Sequence, residues 1–146
     1  GHCANHMSFG IVGTESLLTG DHVMGWNSTL VAVPDGSMRD YLRSLETVIA
    51  LPYRRYLPAH GGPIADGPSY ARALLTHRMF RNSQIIAAVT DGARTVGELL
   101  GRIYPQLTGK LRLAAAMTLR AHLEYLNEEG AITLRRLPFG LRLAPP

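Results

Sequence analysis

Apolar residues recur along the chain in two rhythms, one of period two and one of period near 3.6. Met7-Ser8-Phe9-Gly10-Ile11-Val12 alternates apolar with small residues, Gly13-Thr14 turns it, and Ser16 to Thr19 resumes the strand signal, which predicts a β-hairpin. Val23 to Val33 is mixed and β-leaning, and Gly25, Trp26, Asn27 and Pro34 break it. It predicts a long loop with one short strand, about Thr29 to Val33. Met38, Tyr41, Leu42, Leu45, Val48 and Ile49 then share one helical face. Ser37 is a good N-cap with Asp40 three residues on, and Pro52 stops the helix. Tyr56 to Pro58 reads as a short strand leading into His60.

Asp66-Gly67-Pro68 predicts a turn and a domain junction, dividing the chain into residues 1–67 and 68–146. Ser69 begins a long helix to about Val89, with Leu74, Leu75, Met79, Ile85, Ile86 and Val89 as its buried positions and Asp91-Gly92 at its end. Thr95-Val96-Gly97-Glu98 has the pattern of a capping box and opens a short helix that Pro105 ends. A third helix runs from Leu111 to about Glu129, with Leu119, Leu123 and Leu126 on its apolar side and Gly130 closing it. Ala131 to Leu134 and Leu141 to Leu143 read as two strands, joined through residues 135–140. Helix, helix, helix and hairpin is the order of a winged helix, a relative of the helix-turn-helix.

Composition changes this picture only at the edges. The 146 residues suffice for one ordinary domain or two small ones, and 46% apolar with 18% charged residues is the balance of a soluble globular protein. No apolar run approaches the ~20 residues of a membrane helix, and no signal segment opens the chain, so no membrane partner is expected. Gly1 in place of methionine is expected of a processed, truncated or partly observed chain. A single cysteine, Cys3, fits a reducing, cytoplasmic setting. Charge is uneven: residues 1–69 hold four arginines against six carboxylates, whereas residues 70–146 hold eleven Lys/Arg against five. The second half is therefore able to face an anionic partner, although a small basic excess is equally a solvated surface.

The chemistry gathers at strand ends. In Ser16-Leu17-Leu18-Thr19-Gly20-Asp21-His22 an apolar strand runs out, glycine turns the backbone, and a carboxylate and an imidazole stand at the tip. Gly1-His2 opens the chain, and His60 lies in the turn Ala59-His60-Gly61-Gly62. Neutral imidazole and ionised oxygen on loops borne by stiff elements suit a borderline-soft cation such as zinc. No local motif such as HExxH joins the three, and spacing alone leaves a structural role open for each histidine.

Three blocks carry a resemblance: Gly1-His2-Cys3-Ala4-Asn5-His6-Met7-Ser8-Phe9, Leu18-Thr19-Gly20-Asp21-His22-Val23-Met24-Gly25, and Leu57-Pro58-Ala59-His60-Gly61-Gly62-Pro63-Ile64. In this order they resemble the last three conserved blocks of the metallo-β-lactamase superfamily. Asp35-Gly36-Ser37-Met38 with Tyr41 resembles the helix between the second and third blocks. His77-Arg78 with Arg81 and Gln84-Ile85, followed by a winged helix, resembles the branch that includes an endoribonuclease and glyoxalase II-like hydrolases. The resemblance implies an α+β fold: the C-terminal half of an αββα sandwich, then a winged-helix module.

Roles follow from the resemblance. His2 is expected to bind a first zinc, His60 a second, and Asp21 to bridge both and be the catalytic carboxylate, two zinc ions acting on a water that attacks a phosphodiester or thioester. His6 and His22 are not ligand positions and are expected behind the ligands or as packing groups. The HxHxDH block of the family does not occur in these residues, so this portion alone is expected to be catalytically incomplete. The apolar sheet face of so small a half is expected to be covered by the upstream half of the domain or by a partner chain. Lys110, Arg112, Arg120, Arg135 and Arg136, with Arg142, are candidate nucleic-acid contacts, and Tyr104, Tyr125 and Phe139 candidate stacking groups. Substrate candidates are RNA and an acyl-thioester. The competing class is a non-enzymatic, nucleic-acid-binding winged helix carrying a degenerate lactamase remnant.

Overall fold

A computed structural model describes residues 1–138 and 140–146. The chain forms two compact units, Gly1–Arg78 and Met79–Pro146.

The first unit is built on a three-stranded sheet. Strands β1 (Phe9–Gly10) and β2 (Ser16–Gly20) pair antiparallel, with Phe9 opposite Leu18 and Gly10 opposite Leu17. Helix α1 (Met38–Ala50) follows, then β3 (Arg55–Pro58), which pairs parallel to β2. A parallel pair needs a crossover, and α1 supplies it. Ser37 caps α1 by accepting from the Asp40 amide at 3.2 Å, as the sequence leads one to expect. The apolar stripe of α1, with Tyr41, Leu45 and Val48, is buried with Leu17 and Tyr56. The Tyr56 hydroxyl donates to the Val48 carbonyl at 2.7 Å, so this buried phenol is satisfied where strand meets helix. The opposite sheet face carries an apolar row, Phe9–Leu18–Leu57, in which Phe9 and Leu18 are exposed.

Two expectations are corrected in this unit. The stretch from Thr29 to Val33 forms no strand. Its carbonyls serve side chains instead of a ladder: Arg78 donates to that of Thr29, and the His2 ring meets that of Leu30. Asp66 to Pro68 is not a free turn but the start of α2 (Gly67–Thr90). The Asp66 carboxylate accepts from the Ser69 amide at 3.2 Å, and proline is tolerated in a first turn because its missing N–H has no partner there anyway.

In the second unit the end of α2 packs with α3 (Val96–Ile103) and α4 (Gly109–Glu128), and β4 (Thr133–Leu137) pairs antiparallel with β5 (Gly140–Ala144). Ile85, Val89, Leu99, Leu119, Leu123, Leu126, Ile132 and Leu143 form its core. This is the winged-helix order. The strands run further out than their apolar residues, so that Arg135 and Arg136 lie in β4 rather than in a connecting loop. Both sit on a two-stranded ribbon open to water, where alternation gives no signal. Met79, expected inside, is 46% exposed. Phe139 lies outside the described residues.

Candidate metal centre

Gly20 ends β2 with a φ of +53°, and the register between β2 and β3 shifts there. The positive φ suits glycine, and a Cβ at this position would stand 2.5 Å from the His6 Nε2. The strand thus ends in a turn that presents Asp21. The Asp21 amide donates to the His6 Nε2 at 3.1 Å, which fixes the turn from behind.

Two imidazoles meet the Asp21 carboxylate, one on each oxygen. The His60 Nε2 lies 3.4 Å from Oδ1, and the His2 Nε2 lies 3.9 Å from Oδ2. Oδ1 is buried and accepts no hydrogen bond. The His2 ring is oriented through its other nitrogen: Nδ1 lies 2.6 Å from the Leu30 carbonyl and 3.0 Å from the Thr29 hydroxyl. A carbonyl only accepts, so Nδ1 donates there and Nε2 is the ring nitrogen turned toward Asp21. His60 is held by its backbone, since the Gly25 amide donates to the His60 carbonyl at 2.8 Å and Gly25 bridges to Gly61.

His2, Asp21 and His60, separated by 19 and 39 residues, therefore come together. Among the described residues, no trio of such side chains closes on one point. The arrangement is two pairs sharing one carboxylate. Ligand atoms about 2.0–2.1 Å from a tetrahedral zinc stand roughly 3.4 Å apart, so the His60–Asp21 spacing and the orphaned oxygen fit a divalent cation.

His6 and His22 stand behind these groups. Their rings are 6.1 Å apart, and His22 meets Tyr41 edge-on at 5.2 Å. Burial pushes the His22 imidazole down to about 4, so it is neutral at pH 7. Burial, with the neighbouring His2, also lowers His6. A cavity of about 380 Å³ is lined by His6, His22, Leu17 and Tyr53 but by none of His2, Asp21 and His60, so it stands apart from the carboxylate chemistry.

Sequence reasoning gave no site role to four groups. Thr29 and the Leu30 carbonyl orient His2, and buried Arg78 lies over the Tyr41 ring at 5.2 Å while binding the Thr29 carbonyl. Thr29 carried no local pattern, and Arg78 entered only through the branch resemblance, with no role attached to it. Trp26, noticed only as a break, is 72% exposed and stacks on His60.

The basic residues of the second unit are spread out. Arg120 and Arg136 both reach Glu124, at 3.5 and 3.4 Å. Lys110 and Arg112 begin α4, about 15 Å along the helix from Arg120. Tyr104 is covered by the Arg81 guanidinium at 4.3 Å, and Tyr125 packs against the core. No helix among the described residues is long and apolar enough to cross a membrane.

Comparison with known proteins bears on both units. Residues 95–133 match the β-lactamase-associated winged helix domain. The chain is 32% identical over 107 residues to the lactamase-like protein vrtG of Penicillium aethiopicum, covering 73% of this chain and 34% of that protein. It is 27% identical over 119 residues to the atrochrysone carboxyl ACP thioesterase of Aspergillus fumigatus, covering 73% of this chain and 36% of that one. The crystal structure of a metallo-β-lactamase family protein from Thermus thermophilus superposes on all of this chain and 47% of its own, with a TM-score of 0.82 and 32% identity. The chain thus spans between a third and a half of these relatives' lengths. The strand-end blocks, the sheet that presents them and the winged helix that follows agree with these likenesses, and the chain belongs to the metallo-β-lactamase superfamily, in its winged-helix-bearing branch.

Proposed function

We propose that this chain carries part of the site of a zinc-dependent hydrolase that cleaves thioesters. The observation that carries the reading is the buried, unpartnered Oδ1 of Asp21 between two imidazoles whose Nε2 atoms face its two oxygens. His2 would hold one ion, His60 a second, and Asp21 would offer one oxygen to each. Bound zinc supplies an acidified water and a Lewis acid. The Leu30 carbonyl and the Thr29 hydroxyl keep His2 in the tautomer that can ligate, and His6 steadies the Asp21 backbone. In the overall reaction the water oxygen bonds to the acyl carbon, the C–S bond breaks, and a carboxylic acid and a thiol leave. The remaining ligands belong to the family's HxHxDH block, which these residues do not contain.

A thioesterase among the relatives supports the thioester over the phosphodiester. So does the absence of lysine and arginine from residues 1–38 and 56–71, which carry all three proposed ligands. A polyanionic strand is bound largely through such cations. The test is metal analysis and acyl-thioester turnover of the full-length protein. We expect two zinc ions per chain, and loss of both metal and turnover in Asp21→Ala. Retained turnover in that variant, or a metal-free active protein, overturns the reading.

A further inference from the structure

We infer that Trp26 is a specificity-determining residue, a fixed stacking platform for a planar aromatic acyl group; this deepens the thioester reading and rests on it for the reaction. The indole is 72% exposed, so one of its faces is offered to solvent. Its other side meets the His60 imidazole, with ring centroids 6.4 Å apart and planes 19° from parallel. A flat group laid on the open face would continue a stack that already contains a candidate metal ligand.

The platform does not depend on a loose loop. The Gly25 amide donates to the His60 carbonyl at 2.8 Å, and Gly25 bridges in parallel to Gly61. The backbones touch so closely that a Cβ on Gly25 would lie 2.2 Å from the Gly62 carbonyl oxygen. On Gly61, whose φ is +85°, a Cβ would lie 2.9 Å from the Trp26 amide nitrogen. Trp26 and His60 are therefore carried by one clamped pair of turns, and the indole keeps its place beside the ligand without being ordered by substrate. Preorganisation of this kind lowers the entropy lost on binding.

Charge selects among the flat groups that could stack. A nucleobase would bring its phosphates, yet residues 1–38 and 56–71 hold no lysine or arginine. Arg78 is buried and engaged by Thr29 and Tyr41. The same loop instead exposes the apolar Leu30. An uncharged aromatic acyl group can lie on the indole without leaving phosphates unpaired.

The test compares benzoyl and acetyl thioesters of N-acetylcysteamine in the full-length protein, together with quenching of the Trp26 emission by 4-nitrobenzoate. That emission is isolated as the difference between the parent and Trp26→Phe. We expect the benzoyl-to-acetyl ratio of kcat/KM to fall about tenfold in Trp26→Ala, chiefly through KM, and to be largely restored in Trp26→Phe. Saturable quenching by 4-nitrobenzoate, absent with acetate, is expected alongside. An unchanged ratio in Trp26→Ala overturns the platform and leaves the hydrolase reading standing. If neither thioester is cleaved by the parent, the hydrolase reading fails and quenching alone decides: saturable quenching upholds the aromatic platform, and none overturns it.

Discussion

The imidazole that meets Asp21 from the start of the chain is aimed by a hydroxyl and a carbonyl that no local pattern announces. Thr29→Val removes the hydroxyl 3.0 Å from the His2 Nδ1 while leaving the Thr29 carbonyl to Arg78. We expect about 1 kcal/mol of lost stability and roughly tenfold weaker zinc binding, read by competition against a chelator in the full-length protein. Unchanged affinity would show that the Leu30 carbonyl orients the ring alone. Gly61 is constrained more severely, because its φ is +85° and an added Cβ would stand 2.7–2.9 Å from Gly25 and Trp26 backbone atoms. Gly61→Ala is expected to weaken zinc binding and to lower the thermal midpoint together, since the two turns must part to admit the methyl group. A variant that keeps both would mean that the clamp is more compliant than its close contacts imply.

At the scale of elements, caps can be read from neighbouring letters and long-range pairings cannot. Helix α3 begins with Thr95 accepting from the Glu98 amide at 3.2 Å, while the Glu98 carboxylate accepts from the Arg94 amide at 2.6 Å. That bond holds the Glu98 carboxyl below its ordinary value of 4.5. Its contribution to stability is therefore complete above that value and is lost as pH falls through the lower folded one. Glu98→Gln is expected to lower the urea midpoint at neutral pH and to differ little from the parent in strong acid. A gap that persists in acid would assign the effect to packing. Thr95→Ala should cost about 1 kcal/mol by the same measurement. Both caps and the stripe of α1 were legible because three- and four-residue spacings fix what meets what on a helix. The parallel pairing of β2 with β3 was not, because 34 residues lie between Gly20 and Arg55 and only the packing of α1 brings the strands together. The false strand at Thr29–Val33 failed for the opposite reason: β-branched residues were present, but the Thr29 and Leu30 carbonyls are taken by Arg78 and His2. At the site, His2, Asp21 and His60 were legible as blocks, whereas Trp26 lay in a stretch that only spacing in three dimensions connects to His60.

At the scale of the whole molecule, one sheet face leaves an apolar row open to water. Phe9 and Leu18 stand 55% and 42% exposed in register on one sheet face. We propose that this face is covered, by the rest of the family's sandwich or by a second chain. The 146-residue chain on its own is then expected to self-associate, and Phe9→Lys with Leu18→Thr to reduce the mass seen by light scattering. A parent that is already monodisperse and monomeric would show that the face needs no cover. Leu18 lies only two residues before the glycine on which Asp21 pivots. Cover over that oily row would also bear on the strand that ends in the carboxylate's turn, so a mild detergent, touching neither histidine, is expected to weaken cation binding by prying at that strand.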